Sequence, residues 1–245
     1  MLESHLIRHL KEKAYSGNRG ARRKTFCQDY QQTLRRVRAK AEKQFAASLA
    51  VSGEKLSCAR GCDLCCFQHI STPAAHCIAV VDFLYENTPA MTSFLTNYKI
   101  WNKTAGILAE EIDAAYNRAI DAEQTKTQGA KGLALSRAYY KLRIPCPFLE
   151  NSACLIYEVR PICCSSHRAV TPSEWCAPES NREVRTFEVM PEGKDLQKLV
   201  DLAPLPLTLF HATLPAMVYR MLTRDLLEIF LEIDNWFPGL PTSAL

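Results

Sequence analysis

The chain is expected to be mainly α, a helical bundle enclosing a cysteine-rich, irregular loop region. Apolar residues recur at three- and four-residue steps along most of its length, which is the period of a helix with one packed face. Eleven cysteines among 245 residues fall largely into two groups, and prolines punctuate the second group from Pro145 to Pro178. A segment so interrupted does not continue a helix.

Leu2 to Ala14 reads as a short helix, and after a break at Gly17 and Gly20 a longer one places Tyr30, Leu34, Val37, Ala41, Phe45 and Leu49 on one side. Gly53 ends it. Ser71 or Thr72 before Pro73 marks the next helix start, with proline in the first turn, and Ala74 to Tyr85 continues as an apolar helix. Met91 to Glu123 carries Phe94, Tyr98, Trp101, Ile107, Leu108, Ile112, Tyr116 and Ile120 at helical spacing, as two helices or one bent helix. Gln124 to Lys131 reads as a polar loop and Gly132 to Leu142 as a helix. Val184 to Met190 alternates weakly as a strand, although a lone strand is unstable. Asp195 to Leu202 is helical again, and a core helix from Leu214 to Phe237 lines up Met217, Met221, Leu222, Leu226, Ile229, Phe230 and Ile233. No internal repeat is apparent. The chain divides into a basic helical region (1–57), a cysteine-rich core (58–180) and a helical region packing on it (181–245), within one compact domain.

A chain of this length with 47% hydrophobic residues can bury a core without covalent staples. Disulfides are therefore not the obvious purpose of the cysteines. Met1 to Gly20 is charged throughout and lacks the apolar run of a secretory signal, and no stretch approaches the roughly 18 apolar residues of a membrane span. The expected address is cytoplasmic, where thiols are kept reduced and a cysteine-dense sequence points to metal ligation or redox chemistry. Glycine is scarce, nine in all, and none forms G-x-G-x-x-G or a phosphate-binding loop, which argues against a dinucleotide or nucleoside triphosphate site. S-adenosylmethionine stays open, since some of its sites lack such a loop, but nothing in the sequence argues for it.

Cys58, Cys62, Cys65 and Cys66 fall within nine residues. Steps of two or three residues let a tight loop aim several sulfurs at one centre, with Gly61 expected to remove a crowding side chain. Cys146, Cys154, Cys163, Cys164 and Cys176 lie in the irregular segment about eighty residues downstream. Metal bonds between the two sets would close that loop and contribute folding free energy directly, which makes it a metal-binding loop region. The expected ligands are Cys58, Cys62, Cys65, Cys66, Cys146, Cys154, Cys163 and Cys176, more thiolates than one tetrahedral zinc or one cubane accepts. A single [4Fe–4S] cluster with surplus cysteines, two separate centres and a polynuclear site with shared thiolates all fit. Side chains of consecutive residues usually point apart, so the members of Cys65–Cys66 and Cys163–Cys164 are expected to face different partners. Thiolate-only ligation with short steps favours an iron–sulfur cluster, with zinc as the alternative.

The stretch CARGCDLCC (Cys58 to Cys66), followed by IPCPFLENSACLIYEVRPICC (Ile144 to Cys164), resembles the YkgJ-type, or CxxCxxCC, cysteine-cluster family of zinc- or iron-chelating proteins. The family's second signature, C-P-F-L, then C-x-I-Y-x-x-R-P, then C, is met by Cys146, Pro147, Phe148, Leu149, Cys154, Ile156, Tyr157, Arg160, Pro161 and Cys163. The likeness covers roughly Cys58 to Cys176. Two departures stand out: the first spacing is C-x3-C rather than C-x2-C, and Cys164 occupies a place where members commonly have arginine. The resemblance implies a metal-binding role, and related iron–sulfur flagellin lysine methylases, which are larger, hint at protein modification.

Arg160 beside the cluster loop is the expected cofactor-binding residue, offsetting thiolate charge and donating to sulfur. Tyr157 and Phe148 are expected to pack as a shield. His167, His69 and His76 are weaker ligand candidates, His211 is expected to pack near Phe210, and Cys27 and Cys77 are read as core thiols. Arg19, Arg22, Arg23, Lys24, Arg35, Arg36, Arg38, Lys40 and Lys43 form a basic region that either contacts nucleic acid, acidic protein or anionic lipid or is a solvated helix face. Function narrows to a redox or protein-modifying iron–sulfur protein, whose partner is a protein or small-molecule substrate. The alternatives are a zinc-stabilised binding module and a metal-handling protein.

Overall fold

The computed structural model describes residues 2–59, 61–118, 125–177, 179–203, 207–208 and 210–224. Two thirds of the molecule is helical (66%), with seven α-helices and little sheet among the described residues. The helices are α1 (Leu2–Ala14), α2 (Gly17–Ser52), α3 (Ala74–Glu86), α4 (Thr88–Arg118), α5 (Thr125–Lys141), α6 (Gly193–Val200) and α7 (Leu214–Thr223). None is long and apolar enough to cross a membrane among the described residues. Gly53 closes α2 with φ 68, the left-handed conformation that glycine adopts without strain. Gly20 lies inside α2, so the break before that helix falls at Tyr15 and Ser16.

Helix α3 is apolar around most of its circumference and therefore central: Ala74, Ala75, Cys77, Ala79, Val80 and Leu84 are fully enclosed. It packs on α2, α4 and α7, while α4 and α5 pair antiparallel beside it. The main core draws on Ile7, Leu34, Phe94, Phe148, Ile156 and Val218, residues spread from one end of the described chain to the other. A smaller cluster of Ala41, Phe45 and Val189 lies at the far end of α2. Cys27 and Cys77 are both core residues.

Three short antiparallel ladders are present among the described residues. Strand β1 (Ser71–Pro73) pairs with β6 (His211–Thr213), β2 (Leu149–Glu150) with β3 (Ala153–Cys154), and β4 (His167–Ala169) with β5 (Thr186–Glu188). Strand β5 confirms the weak alternation in Val184–Met190 and escapes the instability of a lone strand by pairing. Ser71 and Thr72 are strand residues rather than a helix cap, and Pro73 sits just before α3 instead of in its first turn. Both strands of the β1–β6 ladder run straight into helices, and the two units share the spacing His-x-(Ser/Thr)-x-Pro-Ala: His69, Ser71, Pro73 and Ala74; His211, Thr213, Pro215 and Ala216. Ser71 pairs with its own counterpart Thr213 at one end of the ladder, so this short repeat, which was not apparent from the sequence, is related by an approximate two-fold axis.

Thr125 to Lys131 is helical rather than looped, as the first half of α5. The Met91–Glu123 pattern is one continuous helix over its described part, α4. The predicted core residues Leu226, Ile229, Phe230 and Ile233 lie outside the described residues.

Two polar contacts inside this frame give measurable expectations. Trp101 Nε1 donates to the Tyr139 hydroxyl at 2.6 Å, joining α4 to α5 in the interior. Tyr139→Phe orphans that donor and is expected to cost about 1–3 kcal/mol, seen as a lower urea midpoint. His69 and His76 are enclosed, and burial holds each near 4, below the ordinary histidine value of 6.5. The unfolded chain thus protonates first, and their contribution, intact above 6.5, is lost as pH falls toward 4. Burial lifts Asp113 to about 6, which acts in the opposite sense and offsets part of this loss. Urea midpoints at pH 7 and pH 5 are expected to show a net loss on the order of 2–3 kcal/mol on acidification, and His76→Gln should flatten the dependence.

Candidate metal centre

The two cysteine sets meet. The Cys146 N–H donates to the Cys66 carbonyl at 2.7 Å, fastening the irregular segment to the first cysteine loop. A cavity of about 410 Å³ opens between them, with Cys62, Cys65, Cys66, Cys146, Cys154 and Cys164 on its wall and Cys62 and Cys65 exposed to solvent. Its remaining wall includes Asp63, Ser152, Tyr157, Glu158 and Arg160.

Local sequence explains how each sulfur reaches this place. Cys65 and Cys66 lie in a 3-10 turn, Leu64–Phe67, and Cys163 and Cys164 in another, Ile162–Cys164. Gly61 precedes the first with φ +91, and a Cβ built there would meet nothing within 4 Å. Its role is therefore backbone conformation, not room for the sulfurs. Cys146 precedes the β2–β3 hairpin and Cys154 ends its second strand; the connecting residues Asn151 (φ 48) and Ser152 (φ 57) both take the left-handed conformation of a tight two-residue turn. Helix α4 holds this hairpin: Phe148 stacks on Phe94 at 4.3 Å, Asn97 Nδ2 donates to the Pro147 carbonyl at 3.2 Å, and Ser93 Oγ donates to Glu150 at 3.0 Å. Cys176 closes a third 3-10 turn, Ser173–Cys176, that packs on the first, and its carbonyl accepts the Tyr140 hydroxyl of α5.

Several sulfurs sit where a thiolate is served. The Ala169 N–H donates to Cys58 Sγ at 3.1 Å, and the Phe148 and Ile156 N–H groups bond the Cys146 and Cys154 sulfurs, each two residues back along the chain. Such bonds favour the ionised sulfur and are what metal-bound thiolates need around them. Burial pushes the Cys146 thiol up to about 12 and raises Cys154 as well. The Cys176 thiol is raised by burial and then by its neighbours Cys58, Cys62 and Cys65. Two thiols move the other way: a hydrogen bond from the Cys66 thiol, with Arg160 nearby, brings Cys65 down to about 7 despite burial, and a hydrogen bond from Cys164 lowers Cys163.

The adjacent thiols do not diverge as expected. Cys66 hydrogen-bonds Cys65, and Cys164 hydrogen-bonds Cys163. In a 3-10 turn successive side chains are separated by about 120°, not by the half-turn of a strand, which leaves neighbouring sulfurs able to swing together. Cys164, not the expected Cys163, lines the cavity; Cys163 Sγ faces the Ser71 carbonyl at 3.4 Å. Cys58 and Cys176 adjoin the cavity through Cys62 and Cys65 without lining it.

The other candidates sort as follows. Phe148 is buried in the core, but Tyr157 is 53% exposed and lies under the Arg160 guanidinium at 4.1 Å from its ring centre, so it is a platform and not a packed shield. His167 is exposed on β4 opposite Glu188, His69 Nε2 bonds Thr213 Oγ1 at 2.8 Å, and His76 Nε2 bonds the Val159 carbonyl at 2.7 Å. His211 is exposed instead of packed, with its backbone N–H held by Asn117. Arg38 is the residue that sequence reasoning left in the basic patch: it donates to the Glu158 carbonyl at 3.3 Å and has Arg160 and Cys164 as neighbours. Its place four residues after Leu34, on the apolar side of α2, was the available signal, and the structure leaves it half-buried there.

Among the described residues, no three His, Cys, Asp or Glu side chains are arranged to hold a single metal ion. No family model, curated protein or solved structure matches the chain. In reduced protein handled in the presence of a chelator, timed alkylation with iodoacetamide at pH 7.5 and peptide mass spectrometry should label Cys65 first and Cys146 far more slowly, following their thiolate fractions.

Proposed function

We propose that the chain is an iron–sulfur protein whose cysteines hold a thiolate-ligated cluster, most simply a [4Fe–4S] centre. One observation carries this: six thiols from segments about eighty residues apart line a single cavity of about 410 Å³. A space of that size with sulfurs around its wall suits a group of several atoms, each metal taking its own thiolate, more readily than one ion drawing four thiolates to a point. Backbone N–H groups of Ala169, Phe148 and Ile156, bonded to the Cys58, Cys146 and Cys154 sulfurs, add to the fit. Cys66, Cys146, Cys154 and Cys164 are the ligands best placed by depth, with Cys62 and Cys65 at the mouth.

A bound cluster would supply one-electron chemistry. The surrounding residues hold it, limit water on the inner side through Phe148, Ile70 and Leu214, and leave the outer side open beside Tyr157, where a small molecule or a protein side chain could approach. That openness favours a redox or protein-modifying role over storage.

Anaerobic purification with iron, zinc and acid-labile sulfide analysis tests the reading. The expected result is a brown protein with about four iron and four sulfide per chain, as a cubane requires. Cys66→Ser combined with Cys146→Ser should abolish the colour while leaving helix content by circular dichroism near that of the parent. Stoichiometric zinc without sulfide in a colourless protein would instead establish the zinc-stabilised alternative.

A further inference from the structure

Arg38 and Arg160 come from segments more than a hundred residues apart, yet they are neighbours, with Arg160 on the wall of the thiol cavity and Arg38 beside it. Arg38 lies half-buried on α2, where the neighbouring Arg35 and Arg36 are exposed. Its Nη1 donates to the Glu158 carbonyl, two residues before Arg160 in the loop that carries the second arginine. Arg160 lines the cavity with its guanidinium stacked over Tyr157, and its Nε is buried with no hydrogen-bond partner. The Cys154 thiol has both arginines as neighbours, and Cys164 adjoins Arg38.

Two guanidiniums side by side and partly desolvated repel one another, and a buried donor without a partner costs about 1–3 kcal/mol. An anionic centre in the cavity relieves both. Glu42 on α2 acts on Arg38 only through space, being ion-paired with Arg168, while Asp63 and Glu158 line the cavity and add to its negative charge. Four thiolates on a dicationic cluster core leave about two negative charges, and reduction adds another.

We infer that Arg38 and Arg160 are a positioning pair that balances the charge of the thiolate-bound centre and raises its reduction potential. This rests on the iron–sulfur reading above. A fixed positive charge at close range stabilises the reduced centre more than the oxidised one, so the pair eases electron uptake. It also assigns the inner face of α2 to the site, separating Arg38 from the exposed arginines of the basic region.

Full-length protein and the variants Arg38→Gln, Arg160→Gln, the double glutamine variant, Arg38→Lys and Arg160→Lys would be reconstituted anaerobically with iron and sulfide. Cluster content, helicity by circular dichroism and reduction potential by spectroelectrochemical titration are then compared. Each glutamine variant should shift the potential to more negative values, the double variant furthest, and the lysine variants should recover most of the shift because they keep the charge. Glutamine variants that remain folded but fail to load, beside lysine variants that load normally, support the pair equally. Unchanged potentials at full loading, or lysine variants displaced as far as the glutamine ones, would overturn it. Parent protein that takes up no cluster overturns the iron–sulfur reading, and the inference falls with it.

Discussion

The bond from the Cys146 N–H to the Cys66 carbonyl, 2.7 Å long, is the constraint around which the rest of this molecule is arranged. It joins two loops that have no strong structural preference of their own. Around it the chain assembles a hairpin, three 3-10 turns and a thiol-lined cavity, none of which could persist alone. The order comes from outside: Phe148 driven into the core against Phe94, Asn97 reaching the Pro147 carbonyl, and Tyr140 reaching that of Cys176. The helical frame thus acts as a mould for an irregular segment whose proline content forbids helix and whose length forbids spontaneous order.

The same frame produces the electrostatic character of the cavity. The wall that carries the sulfurs also carries Asp63 and Glu158, and among the described residues Arg160, with Arg38 approaching, opposes them. Left unbalanced, thiols in such a place hold their protons, as the raised values of Cys146, Cys154 and Cys176 show. Cys65 is lowered because a neighbouring thiol donates to it and an arginine lies close. A cavity that disfavours thiolates yet supplies backbone donors to several of them is one whose groups gain from a cation bound among them. The proposed cluster meets that need, and the buried, unpartnered Arg160 Nε belongs to the same balance.

The basic region at the start of the chain divides once the helix is folded. Arg35 and Arg36 face solvent, Lys40 is bound to Asp195 of α6 at 2.7 Å, and Arg38 turns inward to the loop of Arg160. A run that looked uniform in charge therefore serves three environments, as a helix rotates consecutive residues by about 100° and gives each a different neighbour.

Local periodicity was enough to place the elements whose apolar residues keep helical time, because that period depends only on local geometry: Leu2–Ala14 is α1 as read, and the apolar run from Ala74 is α3. The sequence by itself determined too that the cysteines form two groups, since short spacings confine sulfurs to one loop. Tertiary structure alone decided what depends on distant partners. Thr125–Lys131 is helical despite its polar content because α5 pairs with α4, and Ser71–Pro73 is a strand because His211–Thr213 lies beside it. Which of Cys163 and Cys164 faces the cavity, and that Arg38 joins it, follow from how loops and helices pack in space. No one-dimensional spacing encodes that relation.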